Sequence, residues 1–236
     1  MEHDEVPAPH DVDPRSIKIR RILAKNGLSD LDGKVGQLDN FVDLLLKWNK
    51  RINLISRKDT QNIWEAHILH SLSLVLGAPI PPTAKVLDLG TGGGLPGIPM
   101  KIVRTDISLV MLDSTRKKIE AVRDMVETLG LQETTAEWGR AEDKAMQKKF
   151  RESFDVVVAR GVAPLDELAA WSCSLVKRNQ GKESRLVALK GGDVGPELER
   201  TRRLRSVREV SAKALTFYGA EVIPGVNKQI VSVWFS

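Results

Sequence analysis

Between residues 85 and 190, five short apolar runs alternate with amphipathic stretches, and no other feature constrains the fold as tightly. The runs are Lys85–Leu89, Ser108–Leu112, Thr134–Trp138, Phe154–Ala159 and Leu186–Lys190. Short apolar segments bounded by polar ones are what strands buried inside a parallel sheet require. The stretches Gly97–Val103, Thr115–Leu129, Glu142–Lys149 and Pro164–Val176 have helical texture and supply the crossovers that parallel strands need. Two later runs, Val207–Ala214 and Gln229–Phe235, can pair antiparallel at one end of the sheet. The expected class is α/β.

Upstream, residues 15–80 read as a helical subdomain. Val35, Leu38, Phe41, Val42, Leu45, Trp48 and Ile52 recur at steps of three and four and draw one apolar stripe. A second helix is expected over Thr60–Leu76, and Pro79, Pro81 and Pro82 stop the helical run before a sheet domain at 83–236. Residues 1–14 hold three prolines and five acids (Glu2, Asp4, Glu5, Asp11, Asp13) with almost nothing apolar, so a disordered tail is expected. His3 and His10 in that tail do not make a metal site, and no His/Cys cluster elsewhere has zinc spacing.

The 236 residues, 42% of them hydrophobic, suffice for one large domain with an appendage and a core that needs no disulfides. Cys173 is the single cysteine, no charged-then-apolar leader opens the chain, and no apolar run reaches bilayer length. A cytoplasmic, non-membrane protein is the expectation. The net charge of +5 divides unevenly, because the first fourteen residues carry −5 and the rest +10. A basic body suits a polyanionic partner such as nucleic acid, and equally a merely soluble surface.

Function is written most densely after the first strand, in Val86-Leu87-Asp88-Leu89-Gly90-Thr91-Gly92-Gly93-Gly94-Leu95-Pro96-Gly97. A glycine-dense turn at the carboxyl end of a parallel strand lets backbone approach a ligand closely. The second strand ends in Asp113, whose carboxylate can accept both hydroxyls of a ribose. A nucleoside-containing cofactor follows, and two compete. Gly92 to Gly97 formally satisfies the dinucleotide pattern. Against it, Pro96 lies where a pyrophosphate-binding helix would begin, and Asp88 suits a cofactor with a cationic amino acid portion and no phosphate. S-adenosylmethionine is favoured.

The run Leu87 to Pro99 resembles the signature loop of the ribosomal RNA small subunit methyltransferase G family, also called glucose-inhibited division protein B. The likeness extends to Lys47-Trp48-Asn49-Lys50-Arg51-Ile52-Asn53-Leu54, His67-Ile68-Leu69-His70-Ser71, Leu112-Asp113-Ser114, Ala159 to Leu165 and Ala188-Leu189-Lys190-Gly191, in the family's order. It implies an S-adenosylmethionine-dependent enzyme that methylates N7 of one guanine in bacterial 16S ribosomal RNA near the decoding region. It also implies a seven-stranded Rossmann-like methyltransferase sheet preceded by a small helical subdomain. Carried over, the family's cofactor contacts fall on Gly90, Leu95, Ala141, Glu142 and Arg160. With Asp88, Gly92, Gly94 and Asp113 from the loop itself, these make the expected cofactor set. The chain departs from the family's usual Arg-His-Ile-Leu-Asp-Ser block, with Ala66 for the arginine and His70 for the aspartate.

Guanine N7 is an unprotonated lone-pair acceptor, so no general base is required and the enzyme's task is alignment. An exocyclic-amine methyltransferase would carry Asn or Asp followed by Pro-Pro and an aromatic after the fourth strand, where this chain reads Ala159-Arg160-Gly161-Val162-Ala163-Pro164. A cytosine-C5 enzyme needs a nucleophilic cysteine, and Cys173 lies inside a helical run. Ribose O-methylation through a lysine stays open, because Lys190 ends the fifth strand. Lys50, Arg51, Arg116, Lys117 and Lys190 are the RNA-binding candidates, although a solvated face is the ordinary role of any one of them. Trp48 and Trp64 can stack on bases, but they stand on apolar stripes. Expected partners are 16S ribosomal RNA or the small ribosomal subunit, bound by a monomer. The competing readings are a dinucleotide-dependent oxidoreductase and a non-catalytic binding protein of ribosome assembly.

Overall fold

The computed structural model describes residues 13–178 and 184–236. Most of the expected tail, with its histidines, lies outside them. Asp13 and Pro14 do not belong to that tail. They open the first helix, α1 (Pro14–Lys25), where Asp13 accepts the backbone N–H of Arg15 at 2.8 Å and Pro14 supplies a helical φ at no hydrogen-bond cost. Asp13 also accepts the indole N–H of Trp64 at 3.1 Å, which ties the start of the helix to the largest fully buried side chain of the protein. The hydrogen bond from the Arg15 side chain holds the Asp13 carboxyl down at about 2. Asp13→Ala should therefore cost about 0.5–2 kcal/mol of stability. A urea midpoint unchanged from wild type would remove the residue from this role.

Helix α2 (Lys34–Asn49) buries Val35, Leu38, Phe41, Val42 and Leu45 along the expected stripe. It stops before Ile52 because the Asn49 side chain accepts the N–H groups of Leu54 and Ile55 and turns the chain back. Trp48 donates its indole N–H to Asp124 at 2.7 Å, so it is pinned rather than presented for stacking. The helix expected over Thr60–Leu76 is three pieces. A 3-10 turn (Arg57–Asn62) leads into a π-helical turn (Trp64–Leu69) and then α3 (His70–Gly77). Widened π turns recur at functional sites, and this one carries residues of the cavity described below.

Strands β1 (Lys85–Leu89), β2 (Ser108–Asp113), β3 (Thr134–Trp138), β4 (Val156–Arg160) and β5 (Arg185–Lys190) are parallel. The crossovers carry α4 (Gly97–Val103), α5 (Arg116–Thr128), α6 (Lys144–Lys149) and α7 (Leu165–Ser172). Phe154, expected inside β4, makes an isolated bridge to Val176 instead. After β5 comes α8 (Gly195–Arg202), a helix the sequence reading did not anticipate. Its Gly-Pro start reads as a breaker, yet proline is favoured at a first helical position. Then follow β6 (Val207–Ala214) and β7 (Gln229–Phe235). The sheet order is β3-β2-β1-β4-β5-β7-β6, with β7 antiparallel to both its neighbours, so the expected antiparallel pairing is present.

Alternation along each strand divides two cores. Val86, Leu109, Met111, Val156, Val158, Val187 and Leu189 face one side, together with apolar residues from α1 through α5. Leu87, Leu89, Val110, Leu112, Val157, Ala159, Leu186 and Ala188 face the other, against α7. The helical layer before β1 therefore shares its core with the sheet rather than enclosing one of its own. Each large buried side chain such as Phe41 contributes about 1.5–3 kcal/mol by leaving water. The strand order reverses at β1 and β4, and this is where a doubly wound sheet opens a crevice at its carboxyl edge.

Candidate functional site

A cavity of about 1070 Å³ occupies that crevice. Its floor is the loop after β1. Gly90 sits at φ +74°, and a Cβ there would lie 2.5 Å from a Val162 methyl, so only glycine fits. Gly92, at φ +57°, donates its N–H to Asp113 Oδ2 at 2.9 Å, while Thr115 N–H donates to Oδ1 at 2.8 Å. Each Asp113 oxygen accepts one bond from the backbone and keeps lone-pair capacity for another. The carboxylate thus fixes the loop and still lines the cavity.

Of the expected cofactor residues, Gly90, Gly92, Leu95, Asp113, Ala141, Glu142 and Arg160 come together on the cavity wall, and Asp88 and Gly94 do not. Asp88 shares the strand face of Val86, so its side chain enters the core beneath the loop and is fully buried. Its Oδ2 accepts the Thr91 hydroxyl at 2.6 Å and the N–H of Gly97, the first residue of α4, at 2.9 Å. Burial pushes its pKa up to about 6, against the Thr91 and Gly97 hydrogen bonds. Asp88 holds the loop against the helix from below. Gly94 is turned against Ile98 in the same layer.

Ala141 and Glu142 follow β3 in a turn before α6 begins. Gln147 pins this turn by donating its amide to the carbonyls of Ala141 and Trp171. Glu142 is exposed, 3.5 Å from Arg140. Arg160, at the end of β4, donates to the Ala66 carbonyl at 3.2 Å and bonds His67 Nδ1 at 2.9 Å. A guanidinium can only donate, so His67 accepts at Nδ1 and carries its proton on Nε2, which faces Asp59 at 3.5 Å. Burial and then the Arg160 charge pull His67 down to about 4, opposed by Asp59. Burial, then Arg160 and Lys228, pull His70 down to about 3. Burial lowers Arg160 itself to about 10, so it remains a cation between two neutral imidazoles at neutral pH.

Among the RNA-binding candidates only Lys190 lines the cavity, and it is already engaged. Its ammonium donates to the Ala163 carbonyl and pairs with Glu197, both at 2.7 Å. Lys50, Arg51, Arg116 and Lys117 are exposed outside the cavity. Arg51 lies over Trp48, while Arg116 lies over Trp138 and pairs with Glu120. Sequence reasoning missed Gln147, Asp59 and Lys228, whose roles arise from contacts with distant segments. Cys173 donates to the Ala170 carbonyl, away from the cavity. Among the described residues no group of His, Cys, Asp and Glu could hold a metal, and no helix is long and apolar enough to cross a membrane.

The glycine loop, Asp113 and the block running into Arg160 are thus joined in one place, in the order that the resemblance required. The family model for rRNA small subunit methyltransferase G matches residues 34–229. The chain belongs to that family. Relatives named ribosomal RNA small subunit methyltransferase G include that of Moorella thermoacetica, 44% identical over 144 residues, which are 61% of this chain and 60% of the relative. That of Chlorobium luteolum is 38% identical over 190 residues, 80% of this chain and 75% of the relative. The family's fold is shared more widely. The M. jannaschii TYW2 structure in complex with AdoMet superposes with a TM-score of 0.52 at 12% identity, covering 77% of each chain. A predicted O-methyltransferase from Agrobacterium tumefaciens superposes with a TM-score of 0.53 at 12% identity, covering 71% of this chain and 80% of that one. The likeness to the family runs across both the helical layer and the sheet, since its matched residues begin with α2 and end at the start of β7.

Proposed function

We propose that this chain is the S-adenosylmethionine-dependent methyltransferase that modifies N7 of a guanine in bacterial 16S ribosomal RNA, near the decoding region. The observation that carries the cofactor choice is the Asp88 carboxylate at the start of α4. In a dinucleotide site the N–H groups opening that helix point at a pyrophosphate. Here the Gly97 N–H is taken by a buried carboxylate, which would repel a phosphate and disfavours the oxidoreductase reading. S-adenosylmethionine has no phosphate.

The residues fit the cofactor. Asp113 has acceptor capacity for two ribose hydroxyls, the Ala141–Glu142 turn offers backbone and an acid to the adenine edge, and Gly90 and Gly92 expose backbone beside Leu95. Among the described residues three of the five N–H donors of Arg160 have no partner, and they can bind the carboxylate of the amino acid portion. When bound, the cofactor supplies an electrophilic methyl group on a sulfonium. The chain's own contribution is orientation, and well-aligned reactants can gain about 7–11 kcal/mol in favourable cases. No side chain has to take a proton from N7. The setting is the bacterial cytoplasm, the partner is 16S ribosomal RNA or the small ribosomal subunit, and the working form is a monomer.

The test is incubation with labelled methyl donor and small subunits from a strain lacking the gene, followed by mapping of the modified base. Label at guanine N7 is the expected result. Label at another atom changes the acceptor, and absence of label with tight subunit binding would replace the enzyme by an assembly factor.

A further inference from the structure

The residues assigned to the cofactor come from the ends of β1 to β4 and the segments that follow them, yet the cavity continues along the sheet edge. Its remaining wall includes Leu189 and Lys190 at the end of β5, Gly191 just after it, Glu197 of α8, His70 of α3, and Lys228 just before β7. Lys190 at the end of β5 is level with Gln229, so Lys228 stands where β5 leaves the sheet. From β3 to β7 the edge covers five strand spacings, roughly 24 Å. The cavity volume reaches the upper end of the range that single small ligands use.

Along this part of the wall the charges are unevenly paired. Lys190 is neutralised by Glu197. Burial keeps His70 neutral. Lys228 is half-buried, and its ammonium makes no hydrogen bond or ion pair to a described residue. Its stem is seated against two glycines, because a Cβ at Gly191 would lie 3.3 Å from its Cδ and Nζ, and one at Gly225 would lie 2.6 Å from its Cε. The fold thus reserves room for this side chain and leaves its ammonium at the cavity wall without a counter-ion among the described residues.

We propose that Lys228 is the phosphate-positioning residue of the acceptor subsite, its ammonium pairing with the backbone phosphate of the nucleotide whose guanine is methylated. This rests on the rRNA guanine-N7 reading above. The phosphate is the anion an RNA nucleotide brings, and a lysine ammonium is a compact charge suited to it. Guanine O6, the base acceptor beside the reacting atom, adjoins N7. Positive charge grows there as the methyl group arrives, so a cation at O6 would oppose the reaction.

Lys228→Met and Lys228→Arg in the full chain, assayed on undermethylated small subunits, provide the test, with S-adenosylmethionine affinity measured separately by calorimetry. Lys228→Met should raise KM for the subunit about tenfold, falling on KM more than on kcat. It should also reduce the slope of log affinity against log salt by about one. Lys228→Arg should restore most of both. An unchanged KM and salt slope overturn the proposal, and so does a loss of cofactor affinity in parallel with KM, since Lys228 would then serve the cofactor's own carboxylate. If wild type itself transfers no methyl group to the subunit, it is the rRNA reading that falls, and Lys228 with it.

Discussion

Asp113→Ala should weaken S-adenosylmethionine binding by about 3 kcal/mol, roughly 150-fold, because two charged hydrogen bonds to ribose hydroxyls are lost at about 1.5 kcal/mol or more each. The geometry gives this position unusual leverage. Asp113 also takes the N–H groups of Gly92 and Thr115, so its removal leaves two backbone donors without partners and loosens the loop that faces the cofactor. Calorimetric titration of the variant, alongside its urea midpoint, separates lost contact from lost structure. Affinity within threefold of wild type would take Asp113 out of the ribose position. Asp113→Asn should recover little, since an amide has one accepting oxygen for a place that uses two.

The second large effect is on acid stability. His67 and His70 are held near 4 and 3 in the folded protein, chiefly by burial and by Arg160, against an ordinary value of 6.5. As pH falls below 6.5 the unfolded chain takes up protons at these positions and the folded chain does not, so stability is complete above 6.5 and declines on acidification. At about 1.4 kcal/mol per unit of displacement, the pair costs roughly 4 kcal/mol by pH 5. Asp88 acts in the opposite sense. Burial raises it to about 6, so the folded state gains a proton that the unfolded state takes up only near 3.8, which returns roughly 1.4 kcal/mol by pH 5. The net expectation is a loss of about 2–3 kcal/mol between pH 7.5 and 5, read from urea midpoints. Asp13 does not enter this window, because its contribution is lost only as pH falls from 3.8 through about 2. His70→Gln should flatten the decline by about one proton. An equal slope in that variant would refute the assignment to His70.

How much of this was written locally follows from which contacts are local. The parallel strands and the loop glycines were legible because each depends on its own run of residues and on the alternation or turn it must make. Asp113 was legible for the same reason, as the last residue of an apolar strand. Asp88 shows a limit that the sequence itself could have lifted. It stands inside a strand that is apolar on both faces, which sends its side chain into a core whichever face it takes, whereas the ligand crevice lies beyond the strand's end. The division of residues 57–77 into 3-10, π and α pieces could not be read, because the π turn carries the Ala66 carbonyl and His67 ring that meet Arg160, more than ninety residues away. Lys190 read as a free cation for RNA, and its partner Glu197 sits on a helix hidden behind a Gly-Pro pair. The departure at His70 likewise gained meaning only in space. His70 sets a neutral ring near Lys228, while the carbonyl that Ala66 gives Arg160 is backbone and would be there with any side chain.

The place of β7 has a bearing on how the protein is made. It is the last strand in the sequence but lies inside the sheet, between β5 and β6. As the chain emerges during synthesis, β6 has no neighbour to pair with and β5 keeps an open side until Gln229 onward has been translated. A stop codon or frameshift shortly before that point removes one strand in name and two in effect, and it exposes the unpaired edge of β5 to other nascent chains. Late-truncating alleles of this gene should thus be as damaging as early ones, and their products should be found in the insoluble fraction.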